Sequence, residues 1–129
     1  MDRQHHATGA PWESSVGYSR AVRAGSVVSV AGTTAVDAQG DVVGADAYAQ
    51  ALYAMGKALA ALRALGACAG DVTRTRMYVV DIARDHEAVG RAHREVFGAA
   101  RPAATMVEVR RLIAPDLLVE VEVDAVVGS

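Results

Sequence analysis

The chain has 129 residues, with 13 Lys plus Arg against 15 Asp plus Glu and a formal net charge of −2. This length supports one hydrophobic core without disulfides or metal, and the scattered basic residues exclude a basic surface for nucleic acid. The single Cys68 forms no internal disulfide, and no N-terminal stretch resembles a signal peptide or a membrane span. We therefore expect one cytoplasmic domain over residues 1–129, with neither nucleic-acid nor membrane partners.

The first quarter of the chain predicts a loose segment followed by two strands. Residues 1–14 show no hydrophobic periodicity, so we expect them to be loosely ordered. Alternation over residues 18–25 predicts the first strand. Residues 27–31 form a short apolar second strand, and Gly32–Thr34 is expected to end it.

Two later segments have the spacing of amphipathic helices. Apolar residues recur every three or four positions between Asp46, a suitable N-cap, and Gly66, which is placed to end the helix. A second stripe runs from about Asp85 to Phe97. Both stripes predict helices that pack on a sheet. The first stripe consists of Tyr48, Ala51, Leu52, Met55, Leu59, Leu62 and Leu65.

Three further strands are predicted over residues 71–81, 101–109 and 117–127. In the first of them, alternation assigns one face to Val72, Arg74, Arg76, Tyr78 and Val80. In the last, valines alternate with three carboxylates, which are Glu120, Glu122 and Asp124. We expect Glu120 and Glu122 to pair with the two arginines, since opposite charges across strands stabilise a sheet modestly.

The predicted order is strand, strand, helix, strand, helix, strand, strand. This order indicates an α+β fold, a two-layer sandwich in which one mixed β-sheet carries both helices on one face. The other face, which carries the carboxylates and arginines, then needs water or other subunits.

Three pieces of sequence together resemble the Rid family of reactive-intermediate deaminases, also called YjgF-type proteins. They are the strand around Gly32, the run Arg101-Pro102-Ala103, and the closing Val119-Glu120-Val121-Glu122. The resemblance covers about residues 18–127 and implies a chorismate-mutase-like fold assembled as a homotrimer, with a small-molecule cleft between adjacent subunits. It implies no metal and no cofactor.

The deaminating members of that family hydrolyse reactive imines and enamines, such as 2-aminoacrylate, to 2-keto acids and ammonia. The resemblance assigns the water-activating acid to Glu120 and a second catalytic position to Tyr18. A carboxylate in such a cleft can carry a raised pKa and move a proton to the leaving amine.

This chain departs from the family pattern where the substrate is held. The arginine that grips the substrate carboxylate is replaced by Ala104, a serine by Ala31, a helix asparagine by Gly90 and a cysteine by Met106. Arg20, Arg76 and Arg101 are therefore the candidates for a relocated anion grip. The full substrate-binding set is Gly32, Thr33, Ala31, Arg20, Arg76, Arg101, Ala104, Thr105 and Met106.

These features favour a hydrolase of small imine or enamine metabolites, with 2-aminoacrylate itself doubtful. The alternative is a trimer that binds or senses a small metabolite without converting it, because small side chains at the departing positions enlarge a pocket and remove polar selectivity. A ribonuclease ranks last, because neither a basic stripe nor stacking aromatics are visible.

Overall fold

The structure, a computed structural model, describes residues 2–128, so the two end residues of the expected 1–129 domain lie outside it. The chain order gives strands β1 to β6 and helices α1 to α3, with one 3₁₀ turn at Ala69–Asp71 before β4. Their bounds are β1 Arg3–His6, α1 Pro11–Val16, β2 Ala21–Ala24, β3 Val27–Thr34, α2 Ala47–Ala64, β4 Val72–Val79, α3 Ile82–Phe97, β5 Ala103–Glu108 and β6 Val119–Val126.

The six strands form one mixed sheet in the order β1-β2-β3-β6-β4-β5. Strand β6 lies in the middle and pairs antiparallel with β3 and β4, whereas β5 runs parallel to β4 at the edge. Helices α2 and α3 contact each other; α2 covers β3 and β6, and α3 covers β4 and β5. The predicted fold class, an α+β sandwich with two helices on one face of a mixed sheet, is therefore confirmed.

The alternation predicted for β6 is confirmed residue by residue. Val119, Val121, Val123 and Ala125 have no exposed surface, because they face the two helices. The intervening carboxylates are only half-buried and lie on the uncovered face of the sheet. Because the apolar residues of β6 share the buried face, its three carboxylates form a row on the other face.

Helix α2 approaches the sheet through its alanines. Asp46 caps the helix by accepting a hydrogen bond from the Ala49 backbone N–H at 2.8 Å, as predicted. Leu52 and Leu59 from the predicted stripe are only partly buried. The fully packed face consists mainly of small residues at spacings of four and three, namely Ala47, Ala51, Ala54, Ala58 and Ala61, together with Met55 and Leu62.

The N-terminal segment contains a strand and a short helix that the sequence pattern did not indicate. Strand β1 pairs antiparallel with β2, whose edge otherwise has open hydrogen-bonding groups. Helix α1 follows, and its buried Glu13 accepts a hydrogen bond from the Thr8 backbone N–H at 3.1 Å. Sequence periodicity missed both elements because they are four and six residues long.

Two β-bulges change the predicted strands. Strand β3 continues through Thr34 instead of ending at Ala31, with a register shift between Val30 and Thr33. A second shift between Val72 and Arg74 in β4 moves Val72 to the buried face and leaves Thr73 exposed, opposite to the simple alternation. A bulge adds one residue to one strand, so every later side chain changes face.

Candidate active site

The bulge in β3 creates the central feature of the site. Val30 pairs with Val123 and Thr33 with Val121, so β3 uses three steps where β6 uses two. The extra residue brings Gly32 against the Glu120 side chain. A Cβ built on Gly32 would overlap Oε2 of Glu120. Position 32 therefore needs glycine so that the Glu120 carboxyl can occupy this place.

Arg20 supports the same bulge from the neighbouring chain segment. Its Nη2 donates a hydrogen bond to the Gly32 carbonyl oxygen at 2.6 Å. Its Nε is buried and has no hydrogen-bond partner within residues 2–128. Arg20 therefore stabilises the bulge carbonyl and places a positive charge close enough to act on Glu120, and its Nε donor is unused.

The Glu120 carboxyl has an unusual protonation equilibrium. Burial raises its pKa above the ordinary value, the nearby charge of Glu122 raises it further, and the Arg20 charge opposes both effects. The net direction is upward. Glu120 therefore keeps its proton at a higher pH than an exposed glutamate, which suits a group that both donates and accepts protons.

Glu122, the next carboxylate on the same face, is held by a tyrosine. The Tyr78 hydroxyl donates a hydrogen bond to Oε1 of Glu122. This hydrogen bond to the carboxylate raises the pKa of Tyr78, with burial as the second cause. The phenol therefore stays protonated, and Glu122 has a hydrogen-bond partner that is not a basic residue.

These groups line an open cleft of about 340 Å³ on the uncovered face of the sheet, called here the Glu120 cleft. Its volume lies at the lower end of the range for small-molecule sites. Apolar and charged side chains meet in it, so it suits a small ligand of mixed character. The lining residues are Gly32, Tyr78, Val109, Arg111, Leu112, Glu120 and Glu122.

Tyr18 lies in an adjacent cleft of about 410 Å³ and not in the Glu120 cleft. Ala31 lines this second cleft with it, and Glu122 is common to both clefts. The Arg20 guanidinium carbon lies 5.7 Å from the centre of the Tyr18 ring. Within one chain, the two predicted catalytic residues Tyr18 and Glu120 thus lie in separate clefts that share Glu122.

The expected ion pairing on this face is different in the structure. Arg76 pairs with Asp124 at 3.2 Å, whereas the sequence predicted Glu120 or Glu122 as its partner. Arg76 lies opposite Glu122 in register, but Tyr78 already occupies that carboxylate. Glu120 is therefore left without a salt bridge among residues 2–128.

Thr33 lies with its side chain in the core. It is fully buried, and its hydroxyl donates to the Ala31 carbonyl oxygen at 2.7 Å. The bulge is the reason, because it turns Thr33 to the helix-covered face beside Val121. The Thr33 side chain therefore does not reach either cleft.

The predicted substrate-binding residues after position 100 lie elsewhere, on or next to the edge strand β5. Ala104 pairs with the buried Thr75 and Met106 with Met77, whereas Thr105 pairs with Arg76. Arg101 precedes the strand with a positive φ of 50°. None of these β5 positions lines the Glu120 cleft of its own chain.

A histidine lies close to Ala104, the residue that replaces the family arginine. The ring Nε2 of His93 is 2.7 Å from the Thr75 hydroxyl, and Thr75 is the register partner of Ala104. Burial lowers the pKa of His93, which favours the neutral ring. This pair was not predicted from the sequence, because the contact joins α3 to β4.

Two cations near the site were also missed. Lys57 donates from Nζ to the carbonyl oxygens of Thr34 and Val36, at 3.0 and 2.7 Å, which anchors the end of β3. Burial lowers the pKa of Lys57, and the Arg20 charge lowers it further. Arg111 lies in the loop between β5 and β6 and lines the Glu120 cleft. In the sequence, the only sign of this role is a basic residue close to the end of a predicted strand.

The described part of the chain, residues 2–128, contains no group of three or more His, Cys, Asp or Glu side chains arranged to hold a metal ion. None of its helices has the length and apolar character needed to cross a membrane.

The fold and the Glu120 cleft define a small α+β protein with an acidic site built against a bulged strand. The family model described as Endoribonuclease L-PSP matches residues 8–127. The chain belongs to this family, the YjgF or Rid family, which confirms the resemblance drawn from Gly32, Arg101-Pro102-Ala103 and Glu120.

Individual relatives agree with this assignment. The chain is 44% identical over 124 residues to the uncharacterized protein SCO2049 of Streptomyces coelicolor, covering 95% of this chain and 90% of that protein. It is 33% identical over 106 residues to the RutC family protein PH0854 of Pyrococcus horikoshii, covering 81% and 82%. The crystal structure of Rv2704 from Mycobacterium tuberculosis, a YjgF/YER057c/UK114 family member, matches with a TM-score of 0.89 and 48% identity, over 98% of this chain and 100% of that one.

The raised pKa of Glu120 predicts a pH-dependent gain in stability for Glu120→Gln. A raised folded-state pKa contributes stability below the unfolded value, about 4.3, and this contribution is lost as pH rises through the folded value. Glutamine does not ionise, so the variant should match the wild type most closely below about pH 4.3 and become relatively more stable toward neutral pH.

Urea unfolding at several pH values and one fixed protein concentration measures this difference. Glu87→Gln is the matched control, because the Glu87 side chain is 92% exposed and makes no close hydrogen bond within residues 2–128. A stability difference for Glu120→Gln that stays constant with pH would contradict the prediction.

Proposed function

We propose that this protein is a hydrolase of small imine and enamine metabolites, with Glu120 as its proton-transfer group. The observation that carries the proposal is the placement of a half-buried carboxyl with a raised pKa against the bare backbone of Gly32, inside an open cleft. Such a carboxyl can exchange protons with a bound nitrogen, and imine hydrolysis requires this exchange.

In the proposed reaction, Glu120 alternately donates and accepts a proton. Protonated Glu120 gives its proton to the imine nitrogen, and the resulting carboxylate takes a proton from the water whose oxygen adds to the carbon. The adduct then carries a hydroxyl and an amine on one carbon. Glu120 protonates that amine, the carbon–nitrogen bond breaks, and ammonia leaves. The hydroxyl proton returns to Glu120 as the carbonyl forms, so one water enters and one ammonia departs.

The proposed working unit is a homotrimer with the clefts between subunits. The residues that the family resemblance groups into one site lie in two places of this chain, at the Glu120 cleft and along the edge strand β5. A second copy could bring its β5 to the first copy's cleft. The uncovered sheet face and the edge strand, where Val107 is 42% exposed, provide surface for such contacts.

The substrate is not assigned as 2-aminoacrylate, because Ala104 provides no guanidinium on β5 to hold its carboxylate. Ribonuclease chemistry is also disfavoured. The Glu120 cleft has two carboxylates and one arginine, and a phosphodiester backbone binds more favourably to surfaces rich in cations.

The trimer predicts a solution mass of three times the 13.4 kDa chain. Light scattering coupled to size-exclusion chromatography over a dilution series measures it. A mass of one chain at the concentration of the activity assay would contradict the inter-subunit cleft, since each cleft then lacks its second wall.

The hydrolase predicts faster ammonia release from imines, with Glu120→Gln about 10²- to 10⁴-fold slower because a general acid–base group is removed. Imines are generated in place, from amino acids by an amino-acid oxidase and from amines by an amine oxidase. The rate is compared with the same mixture without protein.

Glu87→Gln is the control for this assay, since it makes the same chemical change at an exposed position on α3. Equal rates for Glu120→Gln and the wild type remove Glu120 from the mechanism. If no imine of either kind is hydrolysed faster than in the control mixture, the proposal fails, and a trimer that binds a metabolite without converting it becomes the better description.

The placement of Glu120 predicts that Gly32→Ala lowers kcat/KM by about 100-fold, because the added methyl displaces the carboxyl. Gly56→Ala is the matched control. A Cβ added there, on the exposed side of α2, meets nothing within 4 Å, and replacing a helix-interior glycine should raise stability. Thermal unfolding of both variants separates lost folding from lost positioning, and a wild-type rate for Gly32→Ala would contradict the geometry.

A further inference from the structure

Lys57 is the only lysine in the sequence, and every other Lys or Arg position is an arginine. It lies in the middle of α2, is half-buried, and forms no salt bridge within residues 2–128. Burial lowers its pKa, the Arg20 charge lowers it further, and Asp37 opposes both effects. A half-buried cation without a bonded anion is unfavourable, so another interaction must offset its cost.

That interaction is made with the end of β3. Strand β2 pairs with residues 27–30 of β3, so the last part of β3 pairs with β6 alone within residues 2–128. Here the Lys57 ammonium donates to the carbonyl oxygens of Thr34 and Val36, at 3.0 and 2.7 Å. The side chain thus supplies hydrogen bonds where β3 has no second neighbouring strand.

The carbonyls that Lys57 binds belong to the part of β3 that faces Glu120. Thr34 is the register partner of Glu120, and Gly32, two residues earlier, lies against the Glu120 carboxyl. The bulge interrupts the regular ladder just before this point, so fewer strand hydrogen bonds fix the position of Gly32. A shift of β3 here would change the distance between Gly32 and the carboxyl, and Lys57 opposes such a shift.

The geometry also explains why this position is a lysine. One nitrogen donates to two carbonyl oxygens that are two residues apart in the chain. An ammonium is a compact group with three donors that turn toward separate oxygens, whereas a guanidinium is a rigid planar fork. A charged donor also makes stronger hydrogen bonds than a neutral one, which offsets the burial of Lys57 near Arg20.

We propose that Lys57 is a positioning residue for Glu120. By binding two carbonyl oxygens at the end of β3, its ammonium keeps Gly32 against the Glu120 carboxyl. Lys57 does not line the Glu120 cleft, so it acts through the strand and not on the substrate. This inference deepens the proposed hydrolase. Its kinetic consequence rests on that proposal, whereas its effect on the surroundings of Glu120 does not.

The test is an NMR titration of the Glu120 side-chain carboxyl in the wild type and in Lys57→Met, which has a side chain of similar length without a donor. With the end of β3 released, water should reach the carboxyl, and the pKa of Glu120 should fall toward the ordinary value of about 4.3. Amide hydrogen exchange at residues 31–36 should become faster. A role through charge alone would raise the pKa of Glu120, because a cation would be lost.

Arg63→Met is the matched control, since it removes one cation from an exposed position on the same helix. It should leave both measurements unchanged, because an exposed charge is screened by salt. Lys57→Gln, with a shorter neutral donor, replaces Lys57→Met if that variant does not fold, and should change both measurements in the same directions. The inference is overturned if the pKa of Glu120 does not fall, if exchange is not faster, or if Arg63→Met has equal effects.

Kinetics separate this inference from the proposed hydrolase. Lys57→Met should lower kcat for imine hydrolysis by about 10- to 100-fold and change KM by less than about twofold, because the proton-transfer group is misplaced while substrate contacts remain. A fall in the pKa of Glu120 without imine hydrolysis by the wild type keeps the positioning role and rejects the hydrolase. Hydrolysis with an unchanged kcat in Lys57→Met keeps the hydrolase and rejects the positioning role.

Discussion

The close approach between Gly32 on β3 and Glu120 on β6 is the contact on which the site depends. It arises because β3 carries one residue more than β6 between two ladder pairs, and the bulge turns Gly32 toward the carboxyl. Arg20 donates to the carbonyl oxygen of Gly32, and Lys57 donates to the carbonyl oxygen of Thr34, two residues further along β3. Two side chains thus supply hydrogen bonds to this irregular strand, whose bulge would otherwise leave backbone groups unsatisfied.

The same contact has an energetic consequence. Burial of Glu120 beside Glu122 disfavours its charged form, so ionisation at neutral pH opposes folding. Helix packing on the other face of β6 stabilises the fold, because its valines and the α2 alanines are buried from water. The apolar face therefore offsets an unfavourable arrangement of carboxyls on the open face, and such sites are commonly functional.

Much of the architecture follows from patterns in the sequence. The period of two in β6 and the cap at Asp46 both appear in the structure as predicted, because each depends only on neighbouring residues. The bulges in β3 and β4 could not be predicted this way. They depend on how two strands far apart in sequence align. The extra residue in β4 reverses the faces of Val72 and Thr73, and the extra residue in β3 buries Thr33.

The sequence alone determined the order of the main elements from β2 to β6, the apolar and acidic faces of β6, and the family, and it pointed to Glu120 as the candidate acid. Only the tertiary structure decided which residues surround that acid. Arg111 lines the Glu120 cleft, and Ala104 lies on the edge strand. Arg76 pairs with Asp124, and Glu122 accepts a hydrogen bond from Tyr78. The physical reason is that faces are set by local periodicity, whereas partners across strands are set by register, and each bulge changes the register.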